Sequence, residues 1–221
     1  NVEWSQELKV FESFDEYLRA WVLVHALHAK LGFPGDAPGV IFNMSVGYDL
    51  AGIKQPNVQW YLDAMHDASA YLPAYVDIVA RRFPEVRELD IPACVSDTMT
   101  LSTMHGCPPD EIEQITLYLL QERKLHTSVK CNPTLLGPDR VRAIINDDHG
   151  FADVPVPDEA FGHDLKYIDA VTIFHNLRRV AAAEALQFGL KISNTLEVEN
   201  WRTPFDCDGM MYLSGRALNP F

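Results

Sequence analysis

The sequence predicts an α/β fold, and within that class a partial (βα)8 TIM barrel. Three observations carry this reading. Short β-prone runs alternate with amphipathic helical stretches, the pattern of a parallel sheet with crossover helices. No Gly-x-Gly-x-x-Gly follows any of those runs, which argues against a dinucleotide-binding Rossmann unit. The β-prone runs also end in side chains capable of chemistry, and in barrels the loops after the C-terminal ends of strands carry the site.

The elements follow in order. Ser13-Phe-Asp-Glu16 reads as a capping box, opening a helix with Phe14, Tyr17, Leu18, Trp21 and Leu31 at helical spacing. Gly32, Pro34 and Gly35 end it. VIFNMSV (40–46) is a β-prone run and GYDLAGIKQP its exit loop. A helical stretch runs from Asn57 to Phe83 with an interruption near Pro73, and residues 84–97 are loop-like. TMTLST (98–103) is the next strand candidate. The helix after it has Pro109, Asp110 and Glu111 in its first turn, where proline fits and acids complement the macrodipole. HTSVKCN (126–132) reads as a strand, PTLLG as its exit loop, and Pro138-Asp139 as a helix start. A long helix is expected from about 162 to 188, then the strand LKISN (190–194).

Composition bounds the function. The 221 residues fit a single domain, 1–221, and 48% are apolar, enough for a core. The formal net charge of −13 argues against nucleic acid and anionic membrane as partners, since both need a basic face. No apolar run approaches the ~18 residues that span a bilayer. The four cysteines (94, 107, 131 and 207) form no Cys-x2-Cys pair, and the eight histidines form no His-x-His, so no metal site is expected. No secretory leader is visible, so a reducing, cytoplasmic setting is expected, with each cysteine by default a small buried hydrophobe. The chain starts at Asn1 and stops at MMYLSGRALNPF, which suggests an internal segment of a longer protein.

Asn43 and Ser45 lie near the end of the first β-prone run, His105 and Cys107 follow the second, Lys130 and Asn132 end the third, and Asn194 and Thr195 the fourth. Each alone is ordinarily a loop-capping residue. Four consecutive strands ending this way point to a site. Lys130 carries the most weight, because an ammonium in a barrel mouth is costly unless an anionic partner meets it. A reduced flavin ring is one candidate. His105 reads as a loop histidine.

Longer motifs add a resemblance. Gly-Cys-Pro-Pro (106–109) is similar to the Ser-Cys-Pro loop of the dihydroorotate and dihydropyrimidine dehydrogenase superfamily, which carries the catalytic cysteine. VKCNPTLLG (129–137) resembles that superfamily's Lys-Leu-Thr-Pro motif, SNTLE (193–197) its substrate-holding Asn-Thr pair, and LSGRALNP (213–220) its Ser-Gly-x-Ala segment. Together with IFNMSVGYDLAGIKQP (41–56), these stretches more closely resemble the selenate reductase iron–sulfur subunit family, YgfK-type and similar to the glutamate synthase small subunit. The resemblance covers almost the whole chain.

The resemblance implies an FMN-using oxidoreductase that reduces, or oxidises, a C=C bond of a small cyclic amide or ureide. Cys107 would be its acid/base, with a pKa lowered by the following helix N-terminus. Lys130, Ser214 and Gly215 would contact the flavin. Asn43, Asn132, Asn194 and Thr195 would hold substrate. FAD and 4Fe–4S clusters are expected only in regions outside this chain, as are electron-transfer domains or subunits. The first and last barrel strands are expected to be missing, leaving sheet edges that favour homo-oligomers. Met104 stands where the superfamily has Asn, which removes one substrate hydrogen bond. The alternative is a degenerate barrel that scaffolds electron-transfer or partner domains.

Overall fold

A computed structural model describes residues 8–102, 107–201 and 211–218, leaving out the side chain of Ala217. The chain divides into two compact units, Asn1–Met99 and Thr100–Phe221.

The first unit opens with α1 (Val10–Leu31). The helix begins earlier than the Ser13–Glu16 box implies. Lys9 is its N-cap, and the Glu12 carboxylate accepts the Lys9 backbone N–H at 2.6 Å. Ser13 is buried inside the helix. Gly32 closes it in the left-handed region, at φ 64°. Phe14, Leu18, Trp21 and Val22 are buried, and the Trp21 indole donates to the Pro92 carbonyl at 2.9 Å. The first strand is β1 (Asn43–Val46), with Met44 and Val46 buried. Asn43 is therefore its first residue and Ser45 its third, a correction to the strand-end reading. Helix α2 (Leu50–Ile53) occupies the expected exit loop, because the Asp49 carboxylate caps it through the Gly52 N–H at 2.6 Å. The helical stretch after it is two helices, α3 (Pro56–His66) and α4 (Leu72–Ala80), each with proline in its first turn. A 3-10 turn (Pro84–Glu88) follows.

The boundary between the units falls inside β2 (Thr98–Ser102). The second unit continues with α5 (Pro109–Gln121), β3 (His126–Cys131), a 3-10 turn (Pro133–Leu136), and α6 (Pro138–Arg142) running into a π-helical turn (Ala143–Asp148). Then come α7 (Asp158–His163), α8 (Tyr167–Ala183), β4 (Phe188–Ile192), β5 (Leu196–Val198), β6 (Met211–Leu213) and a last 3-10 turn (Gly215–Leu218). The strand order is β1-β2-β3-β4, each strand beside the next in sequence, as a (βα) barrel runs. Strands β3 and β4 are parallel, from Thr127 opposite Phe188 to Cys131 opposite Ile192. The pairing of β5 with β6 is antiparallel and separate; no strand pairing was expected there.

The crossover between β3 and β4 differs from the expected single helix over 162–188. It breaks at Asp164, whose backbone is extended (φ −77°, ψ 160°). The buried Asp164 carboxylate accepts the Thr134 hydroxyl at 2.6 Å. A buried carboxylate needs such a partner. Leu120 of α5 packs with Ile173, Leu177 and Ala181 of α8. A second cluster joins Val141, Ile145, Val154 and Val156 to Leu196 and Val198 of β5. The first cluster reaches the start of β4 through Phe188, and the second carries β5, which follows the β4 strand end.

Candidate functional site

The site is built on the ends of β3 and β4 and the start of α5. Strand β3 alternates, with Thr127, Val129 and Cys131 buried and His126, Ser128 and Lys130 on the half-buried side. Lys130 pairs in register with Lys191 of β4. Past the strand, Asn132 caps the 3-10 turn, its carbonyl accepting the Leu135 N–H at 3.1 Å. Past β4, the Ile192–Ser193 peptide is cis. The Asn194 N–H then returns to the Cys131 carbonyl at 2.8 Å, which ties the two strand ends together.

These ends enclose two spaces that share Lys130. One is a small cavity of about 10 Å³, room for a single water, bordered by Cys107, Lys130, Cys131, Asn132 and Asp164. The other is a cleft of about 430 Å³ bordered by Lys130, Ile192, Asn194, Thr195, Ser214 and Gly215. Seven of the eight candidate residues therefore line one space or the other. The eighth, Asn43, lies at the start of β1 in the first unit, with its amide donating to the Met44 carbonyl at 2.9 Å. His105 lies outside the described residues.

Cys107 sits at the mouth of α5, half-buried, with its sulfur 3.9 Å from the Pro108 carbonyl oxygen. Its thiol is pushed up to about 11 from the ordinary 9.0, first by burial and then by the carboxylates of Glu111 and Asp110. The expected lowering by the helix N-terminus does not prevail. A dipole end carries about half a positive charge, and burial, with two carboxylates in the same turn, outweighs it. At neutral pH the thiol keeps its proton. Cys131 is buried, and burial pushes its thiol up to about 11 as well.

The family described as Oxidoreductase YgfK, N-terminal TIM-barrel domain, matches residues 1–221. The chain belongs to this family. Two proteins named YgfK and described as oxidoreductases, from Escherichia coli strain K12 and from Escherichia coli O157:H7, are each 43% identical over 239 residues. Each match takes in 100% of this chain and 23% of the relative, so the chain spans about a quarter of the length of the curated relatives it matches. No solved structure matches.

Sequence reasoning missed one residue that lines this candidate site. Asp164 was hidden in a stretch that reads as continuous helix. The signal for it is weak: Gly162-His-Asp before a charged helix start. Cys131, expected as a small buried hydrophobe, is buried as such, and it borders the Cys107 cavity. Nearby, His163 Nε2 lies 3.7 Å from the buried Glu197 carboxylate of β5. Among the described residues no group of three His, Cys, Asp or Glu side chains could hold a metal ion, and no helix is long and apolar enough to cross a membrane.

Proposed function

We propose that the second unit is the reaction face of a flavin-dependent oxidoreductase that reduces, or oxidises, a C=C bond of a cyclic amide or ureide. One observation carries the reading. Lys130 borders both the Cys107 cavity and the cleft of Asn194, Thr195, Ser214 and Gly215. A cationic side chain between a thiol and an amide-lined cleft is the arrangement that an anionic ring system with a proton donor beside it requires.

The cleft fits FMN by volume and by lining. Its ~430 Å³ lies within the ~300–1,000 Å³ range of small-molecule sites. Lys130 suits the anionic edge of a reduced ring, and Gly215, at φ 75° with no side chain, lets a planar group approach its backbone. FMN would supply hydride transfer between ring and substrate.

The chain's own residues do the rest. Asn132, Asn194 and Thr195 can each donate and accept, which suits the N–H and C=O groups of a cyclic amide. Cys107 donates its proton to the carbon next to the one that receives hydride, and in the reverse direction takes it back. A thiol near 11 is protonated before each turnover, and the thiolate it leaves is basic enough to recover a proton from water. Electrons for the flavin would come from regions of the longer polypeptide outside this segment.

Absorption spectroscopy and stopped flow on the full-length protein test this. Bound, extractable flavin is expected, and Lys130→Ala should weaken its retention. Cys107→Ser should leave flavin reduction by the electron donor unchanged. It should slow reoxidation by substrate about 10²–10⁴-fold. A full-length protein that neither carries nor takes up flavin would sink the reading and leave the barrel a scaffold.

A further inference from the structure

Helix α1 carries apolar side chains on two faces. Phe14, Leu18, Trp21 and Val22 are buried within the first unit. Leu23, Leu27 and Leu31, at i, i+4 and i+8, form a second stripe and are 47%, 48% and 59% exposed. A surface helix normally buries one stripe and turns polar residues to water. A second leucine stripe implies a second surface to cover.

Leu23 and Leu27 of that stripe, with Ala26, form one wall of a groove. The other wall comes from α4 and the residues after it, Ile78, Val79 and Phe83, with Ile78 50% exposed. The groove has a volume of about 390 Å³ and lies wholly within the first unit. Three basic residues border it: Arg19, Lys30 and Arg82. Arg19 shares its charge with Asp15 at 2.6 Å, and the Lys30 ammonium lies 5.7 Å over the Phe83 ring. In a chain of net charge −13, cations gathered around an apolar groove are a local reversal of sign.

We propose that this groove seats an amphipathic α-helix with acidic flanks, supplied by the part of the longer polypeptide outside these 221 residues. The dimensions suit it. Arg19 and Lys30 are about 16 Å apart along α1 at ~1.5 Å per residue, three turns of a docked helix. An i, i+4 ridge of leucines packs into the groove of a facing helix, and apolar anchors at that spacing are how a helix lies in such a groove. Acidic flanks would meet Arg19 at one end and Lys30 with Arg82 at the other. A second copy of the chain is disfavoured by the same charges. Two of these faces laid together would set Arg19 against Lys30 or against another Arg19, and like charges across an interface cost affinity. Most of each curated relative lies outside the matched segment, which covers 23% of it. A helix tethered in the same polypeptide acts at an effective concentration of about millimolar, so a modest groove suffices to hold it.

Hydroxyl-radical footprinting of the full-length polypeptide tests the proposal. Leu23, Leu27, Ile78 and Phe83 are expected to be protected at every protein concentration. In Leu27→Glu the remaining three should label several-fold faster, with the thermal transition of the domain unchanged. Arg82→Glu, at an exposed rim position, serves as a second variant if Leu27→Glu unfolds, and should also raise labelling. Three outcomes overturn the proposal. Free labelling of the groove in the wild type would show that no helix covers it. Protection that disappears on dilution would make the occupant a second copy. Protection that disappears when bound amphiphiles are extracted would make it a small molecule.

Discussion

Cys107 should behave as a reluctant nucleophile, and its alkylation rate against pH measures this. The structure raises its thiol from the ordinary 9.0 to about 11, by burial first and then by Glu111 and Asp110. Two pH units mean that, at any pH below about 9, the thiolate population is about 100-fold smaller than in an ordinary cysteine. A more basic thiolate is intrinsically more reactive, by about six- to tenfold over two units, which returns part of the loss. The net expectation is alkylation by iodoacetamide about tenfold slower than for the same peptide in the denatured protein at pH 8, and slower still for restricted access. The rate should keep rising about tenfold per pH unit up to about 11. Peptide-resolved mass spectrometry of the full-length protein reads this cysteine by cysteine. Glu111→Gln and Asp110→Asn should each speed alkylation at pH 8, with the Glu111 change the larger. A plateau near pH 9 or below, at the rate of the denatured peptide, would refute the electrostatics and restore the dipole-activated thiolate.

Four other outcomes are expected. Thr134→Val removes the hydroxyl that bonds the buried Asp164 carboxylate and should cost about 1–3 kcal/mol in urea unfolding. Gly32→Ala forces a side chain into φ 64° at the end of α1 and should destabilise by about 1 kcal/mol, read as a lower melting temperature. Leu177→Ala empties a fully buried position between α8 and α5 and should cost about 2–5 kcal/mol by the same assay. Alkali should destabilise the fold. Folded Cys131 holds its proton up to about 11, against 9.0 when unfolded, so its contribution is complete below pH 9 and is lost as pH rises to about 11, at most roughly 3 kcal/mol. Cys131→Ala should flatten that part of the pH–stability curve.

The parts of the fold legible in the sequence are those written in local periodicity. Helix α5 starts where Pro109, Asp110 and Glu111 place it, and the alternation of His126–Cys131 is the alternation of a half-buried strand. What was not legible depended on distant partners. At the break between α7 and α8, Asp164 is held by a Thr134 hydroxyl 30 residues away, and only the weak Gly162-His-Asp signal marks it locally. At α1 two boxes stand back to back, Lys9-x-x-Glu12 and Ser13-x-x-Glu16. Capping preference favours the serine, yet Phe14 and Leu18 are buried as helical residues and draw Ser13 into the helix with them. Strands β5 and β6 are three residues each, too short for a period of two to show, and their antiparallel pairing is long-range.

The candidate site was legible in place but not in charge. The rule that barrel chemistry follows strand ends drew attention to Lys130, Asn132, Asn194 and Thr195, and the structure sets them around two adjoining spaces. Asn43 escaped that rule because β1 starts with it rather than ending near it. The proton affinity of Cys107 was read with the wrong sign from residues that were in plain view. Asp110 and Glu111 favour the start of α5 because they sit where the helix end is positive. The same two carboxylates raise the thiol's proton affinity, since each repels a thiolate with a full charge where the dipole attracts it with about half of one. Burial, which no local stretch encodes, acts in the same direction. A helix start that is well made for the fold is thus badly made for a thiolate, and it keeps the proton on the thiol, as the role proposed for Cys107 requires.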